Sequence, residues 1–127
     1  MNGVKFLLDS CFIIGWYARK DIAFDLIKQH DLQFESCAYS VISYAKVIDF
    51  GHISEQDEHN LRMLFGRLGG RLALTDNIIE TTITLRKNHK MKLPDALILA
   101  TANSYNLQLI TFDEKLQRIF NQITQTN

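Results

Sequence analysis

The amino-acid sequence predicts a single α/β domain built around a mainly parallel sheet. Short apolar runs alternate with longer amphipathic stretches along the chain, and strands separated by helices are typical of parallel sheets. The first and last of these runs lack a strict alternation of polar and apolar residues, as expected of strands that helices cover on both faces. The length of 127 residues fits one domain, which we take to span residues 1–127 with a polar tail at residues 121–127.

The N-terminal half contains two predicted strands and three predicted helices. The apolar run at residues 4–8 predicts the first strand, and apolar residues recur with the helical period within residues 21–30. Residues 34–39 form the second predicted strand, and the helix predicted over residues 41–50 ends at a glycine. Ser54 begins a further helix because acidic residues follow in its first turn, where the helix dipole favours anions.

The C-terminal half continues the alternation of strands and helices. A proline suits the start of the penultimate helix, which is apolar on nearly all sides and is therefore predicted to be central. The predicted strands are residues 71–75 and 107–111, and the predicted helices are residues 77–89, 94–102 and 113–123.

Composition and charge exclude several classes of protein. Basic and acidic residues each number 14, so the formal net charge is zero and no global basic field favours nucleic-acid binding. The longest strongly apolar run, residues 93–102, contains Asp95 and is shorter than the ~20 residues of a membrane-spanning helix. The N-terminus lacks a signal-peptide pattern, and Cys11 and Cys37 are too few for a disulfide framework. We therefore expect a cytoplasmic protein without membrane contact, with both thiols buried and reduced.

Three aspartates are predicted to lie at one edge of the sheet. Asp9 directly follows the first strand, and Asp113 comes two residues after the fourth predicted strand. Asp95 lies in the first turn of the apolar helix, where a buried charge is costly unless a partner neutralises it. Because ligands bind beyond the carboxyl ends of parallel strands, we expect a shared site for a hard cation such as Mg²⁺ or Mn²⁺. Taken singly, each aspartate can instead be a helix cap or a helix-start anion.

Four segments of the chain resemble, in order, the signatures of the PIN domain. They are residues 7–10 (Leu-Leu-Asp-Ser), 39–45 (Tyr-Ser-Val-Ile-Ser-Tyr-Ala), 93–102 (Leu-Pro-Asp-Ala-Leu-Ile-Leu-Ala-Thr-Ala) and 109–113 (Leu-Ile-Thr-Phe-Asp). The likeness runs from Val4 to about Ile119 and is greatest to the VapC-type toxins of bacterial toxin–antitoxin modules. It implies a PIN-like three-layer α/β/α fold with a central, mainly parallel sheet of four to five strands.

The resemblance also implies an activity, partners and a set of site residues. VapC-type PIN domains are endoribonucleases that hydrolyse RNA with Mg²⁺ or Mn²⁺, and the metal-binding acids of the family match Asp9, Asp95 and Asp113. Thr111 and Ser10 match the hydroxyl residues near these acids and are expected to orient waters or carboxylates. The family further implies a homodimer and an antitoxin groove, expected at residues 44–50 and 61–68.

One position departs from the family pattern. The family has a Glu in the helix after the second strand, in a segment like Ser-Tyr-Ala-Glu, but this chain has Lys46. An ammonium group beside a divalent cation is repelled by several kcal/mol even at an effective dielectric constant of ~20. We therefore expect an impaired ribonuclease. The alternative is a catalytically inactive PIN-fold module that binds an antitoxin or RNA.

Three interpretations of Lys46 stay open at the level of the sequence. In the first interpretation, the ammonium group of Lys46 takes the place of the metal and pairs with Asp9 and Asp95. In the second, the lysine stem extends into solvent, and the three aspartates still hold a metal, but more weakly. In the third interpretation, Lys46 is an inactivating substitution in a toxin. Asp49 lies three residues further along the same helix face and either neutralises the lysine or replaces the missing acid.

A basic segment precedes the apolar helix. Five of the seven residues 86–92 are basic, and Arg86, Lys87, Lys90 and Lys92 are candidates for RNA contact. The alternative is a solvated helix end whose cations stabilise the C-terminal dipole.

Overall fold

The computed structural model describes residues 3–51 and 53–125, which form a four-stranded sheet with helices packed on it. All strand pairings are parallel, and Leu7 lies opposite Ala38 on one side and opposite Leu109 on the other. The predicted α/β fold with a parallel sheet is confirmed. In spatial order the strands are β3 (Gly70–Leu72), β2 (Cys37–Ser40), β1 (Phe6–Leu8) and β4 (Gln108–Ile110).

Helices fill the connections between the strands, and several begin with a side-chain cap. Ser40 accepts a hydrogen bond from the backbone N–H of Ser43, and Thr75 accepts one from Ile78, so each satisfies a donor that the first helical turn leaves free. In the described part of the chain the helices are α1 (Ser10–Tyr17), α2 (Asp21–His30), α3 (Val41–Ile48), α4 (Glu55–Arg67), α5 (Asp76–Asn88), α6 (Leu93–Ser104) and α7 (Glu114–Gln125).

Side chains of neighbouring strand residues pack on opposite faces of the sheet, so the core has two parts. Leu7 of β1 and Leu109 of β4 belong to a cluster that α5, α6 and α7 complete. Leu8 and Ile110, the next residues along, belong to a second cluster that contains Phe12 of α1 and residues of α2, α3 and α4. Because both faces are covered, the strands read as nearly continuous apolar runs. The prediction that α6 is central is also confirmed, since residues 96–102 are all buried.

The structure corrects several predicted elements. Helix α1 was not predicted, because apolar residues occupy nearly all its sides and leave no amphipathic period to detect. Residues Phe34–Ser36 form a short 3₁₀ helix, so the second strand begins at Cys37. The third strand ends at Leu72, three residues before its predicted end. The C-terminal helix extends to Gln125, so most of the tail predicted at residues 121–127 is helical, and residues 126–127 lie outside the described part.

The two thiols occupy different environments, and both are free. Cys37 is buried as predicted, and its burial raises the pKa of the thiol to about 11. Cys11 is only half-buried, which departs from the prediction of a core thiol, because it lies beside polar groups at the edge of the sheet. Within residues 3–51 and 53–125, no helix combines the length and apolar character needed to cross a membrane.

Candidate functional site

The carboxyl ends of β1 and β4 meet at the centre of the sheet. Leu8 pairs with Ile110 in parallel register, and the backbone N–H of Asp9 donates to the carbonyl of Ile110 at 3.0 Å. The residues that follow the two strands, Asp9 and Thr111, therefore lie side by side. From β1 the chain continues to β2 on one side, while β4 lies on the other. Such a reversal of strand order is where parallel α/β sheets bind ligands.

The Asp9 carboxylate is buried and held by hydrogen bonds from three sides. Its Oδ1 accepts from the backbone N–H of Ser10 at 2.8 Å. Its Oδ2 accepts from the hydroxyl of Thr111 at 2.7 Å and from the thiol of Cys11 at 3.3 Å. Hydrogen bonds to an ionised acceptor are stronger than those between neutral groups, so this network fixes the orientation of the carboxylate. Thr111 and Ser10 thus contact Asp9, Ser10 through its backbone.

Thr111 also connects Asp9 to the segment that leaves β4. Its Oγ1 accepts from the backbone N–H of Asp113 at 3.1 Å while its hydroxyl donates to Asp9. The sulfur of Cys11 accepts from the backbone N–H of Phe112 at 3.4 Å. Burial and the negative charge of Asp9 raise the pKa of the Cys11 thiol, which keeps its proton available for donation. Cys11 was not among the predicted site residues, because no sequence pattern shows that its thiol reaches Asp9.

Asp95 lies half-buried in the first turn of α6, where several charges act on it. Burial raises the pKa of the Asp95 carboxyl, and the positive charge of Lys46 opposes this effect. The negative charges of Asp9 and Asp113 raise the same pKa further, and Lys92 lowers it. Residues remote in the sequence therefore influence one carboxyl group.

Asp113 has a structural role that the sequence left open. Its side chain is exposed, and its Oδ1 accepts from the backbone N–H of Leu116 at 3.1 Å in the first turn of α7. Asp9 likewise accepts from the N–H of Ser10 at the start of α1. The interpretation of these two aspartates as helix caps is therefore correct as geometry, although capping does not exclude a second role.

Lys46 is exposed and makes no close ion pair within the described residues. There, the one pair of opposite charges within 4.0 Å is Arg62 with Glu58 on α4. A direct pairing of Lys46 with Asp9 or Asp95 is thus not observed, and the exposed stem fits the second interpretation of this residue. Asp49 is also exposed, and no close pair joins it to Lys46 in this part of the chain.

The arrangement of these acids does not fit a divalent cation as it stands. Across residues 3–51 and 53–125, no group of three His, Cys, Asp or Glu side chains is arranged to hold a metal ion. Carboxylates are the oxygen donors that Mg²⁺ and Mn²⁺ prefer, but Oδ2 of Asp9 already accepts two hydrogen bonds. Lys46 adds a positive charge that acts at Asp95. The shared metal site of Asp9, Asp95 and Asp113 therefore stays a prediction.

The basic segment lies on the surface next to α6. Arg86 and Lys87 are in the last turn of α5, and Lys90 and Lys92 follow in the turn before α6; all four side chains are exposed. The Arg86 guanidinium donates to the carbonyl of Met91 at 3.3 Å, which orders this turn. The position of Arg86 and Lys87 in the last turn of α5 favours the interpretation that these cations stabilise the helix dipole. The proximity of Lys92 to Asp95 favours the interpretation that the segment contacts RNA.

Comparison with known families agrees with this geometry. A sequence model of the PIN domain matches residues 6–121. The chain belongs to the PIN-domain family. The resemblance to VapC-type PIN domains that the sequence motifs indicate is confirmed as well. No curated protein is significantly similar in sequence.

Solved structures from toxin–antitoxin systems share this PIN fold. The chain is similar to one in a toxin–antitoxin complex from Klebsiella pneumoniae, with 29% identity and a TM-score of 0.76 over 87% of this chain and 88% of that chain. It is similar to a chain of VapBC-1 from nontypeable Haemophilus influenzae, with 26% identity and a TM-score of 0.71 over 96% and 94% of the two chains. VapBC2 from Rickettsia felis, bound to promoter DNA, shares the fold at 19% identity, with a TM-score of 0.73 over 91% and 93%.

Proposed function

We propose that this PIN domain is a VapC-like toxin endoribonuclease whose activity Lys46 impairs. The observation that supports this proposal most strongly is the influence of Asp9, Asp113 and Lys46 on the Asp95 carboxyl. These are the positions that match the acidic site of the family, with a lysine in place of the glutamate. Because RNA is the proposed substrate, we also propose a cytoplasmic location.

Lys46 acts against metal binding in two ways. It removes one expected oxygen ligand, and it adds a positive charge that any Mg²⁺ or Mn²⁺ held by the three aspartates must overcome. Asp9 is already oriented at this edge, since Thr111 and Cys11 donate hydrogen bonds to its carboxylate. We infer that the scaffold of a metal-dependent nuclease is present and that one position decides whether it is active.

The proposed partner is an antitoxin, as in the complexes formed by the structural relatives. An aromatic groove of about 390 Å³ lies between α1, α2 and α4 and has the exposed ring of Phe24 on its wall. Trp16 stacks on Phe34 in this groove with ring centroids 5.3 Å apart. Phe50 and Met63, in the regions predicted to bind partners, are 58% and 59% exposed. We propose that these apolar surfaces serve the antitoxin and a homodimer.

Replacement of Lys46 by glutamate tests the proposal directly. Lys46→Glu should bind Mn²⁺ in isothermal titration and cleave single-stranded RNA in a metal-dependent way, whereas the unaltered chain should do neither well. Lys46→Met removes the positive charge without adding a ligand and should recover less. Lys28→Glu, with the same charge change at an exposed position of α2, controls for net charge.

Two results would contradict the proposal. Tight Mn²⁺ binding by the unaltered chain would show that Lys46 does not impair the site. A folded Lys46→Glu variant that neither binds Mn²⁺ nor cleaves RNA would favour the second candidate function, a non-catalytic module that binds RNA or an antitoxin.

A further inference from the structure

A cavity of about 310 Å³ lies next to Asp95, between the turn that joins α5 to α6 and the first turns of α7. Three of the residues that line it are lysines, and Asp95 is the one acidic residue among them. The side chains of Lys90, Lys92 and Lys115 are exposed, which places their charges on the solvent side of the cavity. A ligand that fills this space beside Asp95 therefore meets an excess of positive charge.

The inner wall of the same cavity is apolar. Leu116 and Ile119 of α7 are buried and belong to the core, and the half-buried Met91 packs against that core. Such a wall offers contact to a flat or aliphatic group and no hydrogen-bonding side chain. The cavity thus combines a cationic rim with an apolar wall, which suits a ligand that has both an anionic and an apolar part.

One of the lysines is held in place by the backbone. The Lys115 ammonium group donates to the carbonyl of Lys90 at 2.7 Å, which connects α7 to the turn before α6. Among residues 3–51 and 53–125, none of the three lysines lies within 4.0 Å of a carboxylate. Their charges are therefore available to an external anion, and Lys115 is positioned before that anion arrives.

We propose that this cavity, the lysine pocket, holds one nucleotide of a single-stranded RNA. The phosphate contacts the lysines at the rim, and the base lies against Met91 and the apolar wall. Only an unpaired base can enter such a cavity, because the bases of a duplex are stacked and paired. The inference rests on the proposed function, since Asp95 belongs to the proposed active site. It adds Lys115 and Met91, which the motifs of the sequence do not assign.

RNA binding by the full chain without added metal tests the pocket, with fluorescence anisotropy of a short labelled single-stranded RNA as the readout. Lys115→Met should weaken binding about threefold to tenfold at low salt and reduce the slope of log K against log salt by about 0.7, the value for one phosphate contact on a single strand. Lys28→Met, which removes an exposed lysine that does not line the cavity, should change neither quantity.

A substitution in the apolar wall distinguishes contact with the base from contact with the phosphate. Met91→Ala should weaken RNA binding about threefold or more, by analogy with losses at base-stacking side chains, without a change in the salt slope. The same substitution should have no effect on the binding of an abasic oligonucleotide. Lys115→Met should weaken binding of both oligonucleotides, because both carry the phosphates.

The outcomes distinguish this inference from the proposed function. If Lys115→Met behaves like Lys28→Met, or if Met91→Ala affects RNA and abasic oligonucleotide equally, the pocket does not hold a nucleotide. If Met91→Ala leaves RNA binding unchanged while Lys115→Met weakens it, the lysines form a simple anion site, and that result would also overturn the inference. Metal binding and cleavage by Lys46→Glu are measured separately, so a failure there leaves the binding results readable.

Discussion

The hydrogen bond between Thr111 and Asp9 gives the sharpest quantitative prediction. Thr111 is 8% exposed and Asp9 is 5% exposed, and the hydroxyl reaches the carboxylate at 2.7 Å. Thr111→Val keeps the shape of the side chain but removes both the donor to Asp9 and the acceptor for the N–H of Asp113. A hydrogen bond to a charged group contributes about 1.5–3 kcal/mol to stability. We expect the free energy of unfolding to fall by about 2 kcal/mol, which corresponds to about 8 °C in Tm for a domain of this size.

Urea denaturation of matched variants measures this loss. Thr101→Val is the control, because the Thr101 hydroxyl is also buried but donates to a helical carbonyl, that of Leu97, at 2.7 Å. The acceptor there is neutral and belongs to the hydrogen-bond ladder of α6, so its loss should cost no more than about 1 kcal/mol.

A double-mutant cycle identifies the partner of the hydroxyl. In an Asp9→Asn background the carboxylate is absent, so Thr111→Val should cost at least about 1 kcal/mol less than in the unaltered chain. An equal cost in both backgrounds, or a cost no greater than that of Thr101→Val, would refute the argument that Thr111 holds the Asp9 carboxylate.

Two further predictions concern charge and packing. Lys46→Met should raise the pKa of Asp95, measured by carbon-13 NMR of the carboxyl groups, because it removes a positive charge that lowers this pKa; no change would show that Lys46 does not act at Asp95. Burial raises the pKa of Asp95 in the folded chain above its value of about 3.9 in the unfolded chain. The free energy of unfolding therefore falls as pH rises from the unfolded pKa through the folded pKa, because the buried carboxyl ionises. Lys46→Met should make this fall larger at neutral pH, whereas below about pH 3.9 Asp95 is protonated in both states and should have no effect on stability. Gly69→Ala places a Cβ 2.2 Å from a backbone oxygen and should lower the free energy of unfolding, measured by urea denaturation, by about 3 kcal/mol or more. Gly66→Ala is the control, because Gly66 lies in the exposed part of α4 with open space around it. It should be neutral or raise the free energy of unfolding by up to about 1 kcal/mol. A tolerated Gly69→Ala would contradict the close approach at that position.

The sequence by itself determined the order of the elements and the family. The helical period, the cap at Ser54 and the apolar run of α6 depend on residues near one another in the chain. Such signals predicted six of the helices and the parallel sheet. The family motifs predicted the acids of the site together with the unusual Lys46. Helix α1 escaped prediction because a helix buried on most sides lacks the polar face that reveals the period.

Tertiary structure decided how the polar groups at the sheet edge meet. Thr111 and Asp9 are 102 positions apart, and their hydrogen bond exists because β4 pairs with β1 in a register that places Ile110 opposite Leu8. No local pattern encodes that register, so the link from Cys11 to Asp9 was also beyond the sequence. Pairing between strands depends on the packing of the whole core, whereas caps and periods depend on a few consecutive residues.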